Sequence, residues 1–140
     1  MVKGDSKNPE FWMGQYRDHL RKAKEEMGRG ERERAAFWMH QSAECGLKAA
    51  LVSASGKRSK LGTGHDLGSY FQEVMDDFPD ARDTLRKYES LMDKIDPLYI
   101  ESRYPTGEKD LPAAEEIKEW MGQLEQLLKE IDKLVAKESG

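Results

Sequence analysis

The segment Arg34–Ser55, RAAFWMHQSAECGLKAALVSAS, constrains the fold more than any other, because its middle is apolar on most sides. In a chain that is 36% charged, a run carrying Ala35, Ala36, Phe37, Trp38, Met39, Ala43, Cys45, Leu47, Ala49, Ala50, Leu51, Val52 and Ala54 has to be covered by other elements rather than by water. It reads as the central helix of a bundle. Ala43, Gly46, Ala50 and Ala54 recur at three- and four-residue steps, so one face lacks bulky side chains and a neighbouring helix can come close. His40, Glu44 and Lys48 follow one another at four-residue steps, with Gln41 beside them. The ordinary reading of that polar stripe is a solvated seam with a Glu44–Lys48 pair; the alternative is a binding stripe.

A length of 140 residues supplies one core, so a single domain over residues 1–140 is expected. No apolar run approaches the length of a membrane span, and the N-terminal MVKGDSKNPEF has no apolar stretch of the signal-peptide kind. With one cysteine, these features give a cytoplasmic protein with no membrane partner as the expectation. Cys45 lies mid-helix among apolar neighbours and reads as a small buried hydrophobe. The three histidines and the lone cysteine have no ligand spacing, so neither a metal nor a cofactor is expected. The net charge of −4 conceals an asymmetry: residues 1–70 hold 13 Lys and Arg against 9 Asp and Glu, residues 71–140 hold 10 against 18. The cations of the first half gather as Arg29, Arg32 and Arg34 before the central helix and Lys57, Arg58 and Lys60 after it. Two such poles on an acidic chain argue against a non-specific duplex binder.

The other elements read as helices packed on one side. Asn8 followed by Pro9 starts the first and Gly28 and Gly30 end it, with the stripe Met13, Tyr16, Leu20, Ala23 and Met27. The short GRGER connection makes it an antiparallel hairpin with the central helix. Thr63 or Asp66 caps a short third helix carrying Leu67, Tyr70, Phe71 and Val74, which Phe78 and Pro79 stop. Asp80 is expected to cap a fourth, with the stripe Ala81, Leu85, Tyr88, Met92, Ile95 and Tyr99 and an interruption at Pro97. The last has two adjoining stripes, Ile117, Met121, Leu124, Leu128, Ile131 and Val135 beside Trp120, Leu127 and Leu134. That width suits a groove between two helices, or leaves part of the face for a dimer. The expectation is an all-α fold, an up-and-down antiparallel helical bundle of four long helices plus one short helix.

Three stretches carry a resemblance. AAFWMHQSAECGLKAAL resembles the second helix of the HEPN family, whose Gln-x-Ala-Glu-x-x-x-Lys-Ala core is matched by Gln41, Ala43, Glu44, Lys48 and Ala49, with Ser42 and Gly46 as variants. Gly64, His65, Asp66 and Leu67 are similar to the family's Thr-His-Asp-Leu, and Tyr99 to Gly107, YIESRYPTG, to its Tyr-Ile-x-x-Arg-Tyr-Pro segment. The resemblance implies a helical bundle, commonly a homodimer, in small prokaryotic proteins often partnered by a minimal nucleotidyltransferase in toxin–antitoxin pairs. Some relatives are metal-independent ribonucleases and others bind nucleotides without catalysis. The ribonucleases carry an arginine, four to six polar residues and a histidine; after Arg103 this chain has Glu108, Lys109 and Asp110 instead. A general base is therefore missing at that place. A binding role would use Arg103 as a phosphate or carboxylate clamp with Lys48, His65 and Glu44, and Tyr104 or Tyr99 stacking on a base. The structural alternative has Arg103 anchoring its turn to Glu44 or Asp66. Three functions stand: a non-catalytic nucleotide- or RNA-binding protein, a ribonuclease whose base is His40 or His65, and a purely structural dimeric interaction module.

Overall fold

The computed structural model describes residues 8–55, 66–99 and 111–139. It is an all-α bundle, and no strand occurs among the described residues. Helix α1 spans Pro9–Gly28 and α2 spans Arg32–Ser55. The Asn8 side chain accepts from the Glu10 N–H at 2.9 Å and so caps α1 where the sequence places the start. The turn that follows α1 reverses at Gly30, whose φ of 80° lies in the left-handed region that glycine enters without a Cβ penalty. α1 and α2 thereby form the expected hairpin, tied at mid-length by the Ser42 hydroxyl donating to the Tyr16 carbonyl at 2.9 Å.

Helix α3 spans Leu67–Asp77, and of the two expected caps Asp66 is the one in use: it accepts from the Ser69 N–H and from the Ser69 hydroxyl. The expected fourth helix is broken. A 3-10 turn over Pro79–Ala81 leads into α4, Arg82–Arg86, and α5, Glu89–Ile95, follows after a turn. Asp80 lies inside the 3-10 turn, and the cap position of α4 is Ala81, without a side-chain cap bond. The Tyr88 N–H bonds to the Leu85 carbonyl at 2.8 Å, an i to i−3 bond that tightens the chain and turns α5 relative to α4. Leu91 and Leu98, outside the expected stripe, are buried as a result, while Ala81 and Tyr88 are only half-buried.

Helix α6, Ala114–Ser139, lays both of its stripes on the core: Leu124, Leu127, Leu128 and Ile131 are all buried, and Trp120 and Leu134 pack against it. Most of its width packs within the chain, largely against α2. α1 meets α6 through polar links, with the Tyr16 hydroxyl donating to Asp132 at 2.7 Å and Lys24 pairing with Glu125 at 2.6 Å. α2 occupies the centre, contacting α1, α3, α5 and α6. Its small-residue face does what its composition requires, since Gly46 lies directly against Leu128 of α6. Among the described residues no helix is long and apolar enough to cross a membrane.

Candidate functional site

The polar stripe of α2 is buried, not solvated. His40 has 0% of its surface exposed and Glu44 has 4%, because α1 covers one flank of α2 and α3 with α5 the other. The Glu44–Lys48 pair forms as the i, i+4 spacing requires, at 2.8 Å, with side-chain exposures of only 5% and 13%. The Lys48 ammonium lies 5.0 Å from the ring centre of Trp12 on α1 and 5.6 Å from that of Tyr70 on α3. A cation held between two rings and a carboxylate, out of water, interacts more strongly with all three than it does on a surface. Burial, and then the Glu44 charge, push the Tyr70 phenol up to about 12.

Two imidazoles stand near Glu44. His19 of α1 is half-buried, its ring 5.1 Å from that of Trp38, and His40 lies one helical turn before Glu44 with Nε2 3.5 Å from Asp96 Oδ1. Burial holds both below the usual imidazole range. For His40 the Glu44 and Asp96 carboxylates pull the other way, but at a ring without any exposure the loss of hydration dominates. Four buried atoms here have no hydrogen-bond partner: His19 Nδ1, both ring nitrogens of His40, and Gln41 Oε1. Asp96 is shared, since its Oδ1 also accepts the Leu67 N–H at 3.1 Å at the start of α3. Asp96 thus ties the N-terminus of α3 to the C-terminal end of α5, with the His40 ring beside it.

A pH dependence follows from the two depressed imidazoles. Above about pH 6.5 both are neutral folded and unfolded; below it the unfolded chain takes up protons that the folded one resists, so stability falls with pH. Each histidine is expected to remove at most about 2 kcal/mol by pH 5, at about 1.36 kcal/mol per pH unit. Urea unfolding at pH 7 and pH 5 should show a smaller difference for His40→Asn than for the natural chain. An unchanged difference would mean that His40 titrates alike in both states.

Of the residues singled out from sequence, Glu44 and Lys48 are joined, and Tyr99 lies beside His40, ring centres 5.1 Å apart. His65, Arg103 and Tyr104 lie outside the described residues. Trp12, His19, Tyr70 and Asp96 enter the cluster without having been singled out for it. Trp12 stands off the apolar stripe of α1, and a large aromatic in that position is the one signal the sequence offered. Cys45 is buried, its thiol pushed up to about 12 by that burial, which suits a packed side chain and no nucleophile. No group of three or more His, Cys, Asp and Glu among the described residues is placed to hold a metal ion. The model of the HEPN domain family matches residues 9–134. No curated protein and no solved structure gives a significant match.

Proposed function

The chain belongs to the HEPN domain family, and from that premise we propose that it binds nucleotide or RNA without cutting it. The observation that carries this reading is the Lys48 ammonium held between Glu44, Trp12 and Tyr70 on the central helix, which gathers a cation and two rings, the chemistry that phosphates and bases call for. A lack of catalysis is supported by His40. A general base has to come within about 3 Å of the proton it removes, and a ring with 0% exposure does not reach a bound strand. No histidine follows Arg103 to take its place. The motif set further supports a homodimer acting with a minimal nucleotidyltransferase in a toxin–antitoxin type pair.

Calorimetry with ATP, GTP and a short RNA tests the proposal, using the natural chain, Arg103→Ala, and the double variant Glu44→Gln with Lys48→Met. Binding is expected to weaken about tenfold or more in both variants, as loss of a charge-assisted contact requires. The RNA should be recovered intact. Unchanged affinity in both folded variants would overturn the proposal, and cut RNA would establish the ribonuclease in its place. No binding by the natural chain would leave the interaction module.

A further inference from the structure

Trp12 and Trp38 head two copies of one pattern. Phe11, Trp12, Met13, Gln15, Asp18, Lys22 and Ala23 on α1 correspond, at a constant offset of 26 residues, to Phe37, Trp38, Met39, Gln41, Glu44, Lys48 and Ala49 on α2. Because the helices run antiparallel, each lysine lies over the tryptophan of the other copy: Lys48 is 5.0 Å from the Trp12 ring centre and Lys22 is 4.4 Å from that of Trp38. Each lysine also pairs with the acid four residues before it, Lys48 with Glu44 at 2.8 Å and Lys22 with Asp18 at 3.3 Å. In both copies the phenylalanine meets its tryptophan at 72°.

The copies differ in access to solvent. The Lys48 and Glu44 side chains are 13% and 5% exposed, those of Lys22 and Asp18 37% and 43%. Around the open copy the rings continue in a row: His19 to Trp38 at 5.1 Å, Trp38 to Phe37 at 5.0 Å, and Phe37 to Tyr99 at 6.3 Å in a stacked orientation. All four residues are half-buried and so keep part of their surface open to solvent. His19 Nδ1 has no hydrogen-bond partner. Lys22 flanks the row, and the exposed Arg34 lies three and four residues before Phe37 and Trp38, on the same face of α2.

We propose that this row is a docking track for single-stranded nucleic acid, with bases on the Trp38, Phe37 and His19 rings and phosphates on Lys22 and Arg34. A line of rings bordered by cations is the arrangement that holds unpaired bases independently of sequence, and a duplex keeps those base faces stacked within itself. A phosphate takes the place of Asp18 as the partner of Lys22, an exchange that the exposure of both side chains allows. The inference rests on the reading of the chain as a nucleotide or RNA binder and gives it a substrate class and a second place of contact.

The test is the anisotropy of a fluorescein-labelled eight-nucleotide oligouridylate with the full chain at several salt concentrations, using Trp38→Leu and Lys22→Ala, each checked for cooperative melting. Trp38→Leu is expected to weaken binding about tenfold or more. Lys22→Ala, a surface change that leaves the core alone, should lower the slope of log affinity against log salt by about 0.7. Affinity for a duplex of the same length should not respond to Trp38→Leu. Unchanged oligonucleotide binding in both variants, or none by the natural chain, would overturn the proposal. So would a change in oligomeric mass as the sole effect, which would make the row an interface between copies. ATP affinity separates the two readings: loss of oligouridylate binding with ATP binding intact supports the track alone, and oligouridylate binding through Trp38 without ATP binding would sink the Lys48 site and keep the track.

Discussion

Gly46→Leu is expected to lower stability by about 3 kcal/mol, the upper part of the range for overfilling a packed core. A Cβ added at Gly46 would meet Leu128 Cδ2 well inside contact distance and Ile131 Cδ1 at 3.7 Å, and both partners are buried in α6. Three further carbons have nowhere to go except between α2 and α6, so the helices must part. Gly46→Ala is a milder case, because the gain of about 1 kcal/mol from replacing a mid-helix glycine offsets the displacement of one leucine methyl. The discriminating measurement is a double-variant cycle in urea. Leu128→Ala alone should cost about 2–5 kcal/mol through the space it leaves. Combined with Gly46→Leu it should cost at least about 1 kcal/mol less than the two losses together, since the new side chain fills the void. Strict additivity would show that the two residues do not touch.

That contact was legible in the sequence as a kind of face and not as a pair. Small residues at three- and four-residue steps say that a helix comes close; they do not say which. The same holds along the chain. The stripes of α1 and α6 could be read directly, because one-sided burial leaves a 3.6-residue rhythm that depends only on helix geometry. The break at Tyr88 could not, since an apolar rhythm survives a 3-10 turn and continues in the next helix with its face rotated; hence Leu91 and Leu98 are buried off the readable stripe. Polar residues mislead in the other direction. His40, Glu44 and Lys48 looked like a solvated seam because charge usually means water, whereas their burial is set by α3 and α5, which close over α2 from elsewhere in the chain. The ring row is further still from view, as His19, Trp38 and Tyr99 lie on three segments that only the fold brings together.

Lys48→Met should be among the most damaging changes away from the apolar core, at about 3 kcal/mol. It removes the ammonium 2.8 Å from a carboxylate that is 5% exposed, and breaking a buried ion pair from one side leaves a charge short of the counter-charge that balances it. Changing both partners, Glu44→Gln with Lys48→Met, removes that imbalance and should return the protein to within about 1 kcal/mol of the natural chain, because the desolvation of both ions disappears with their attraction. Urea midpoints of the three proteins decide it; a single variant as stable as the double would mean that water reaches the pair and screens it. The expected outcome bears on function. A double variant that stays folded makes the pair's part in the proposed binding testable, since a buried ion pair is often replaceable at little cost whatever its role. Nucleotide affinity measured on the double variant then tests that part on a folded protein, free of the instability that would cloud Lys48→Met alone.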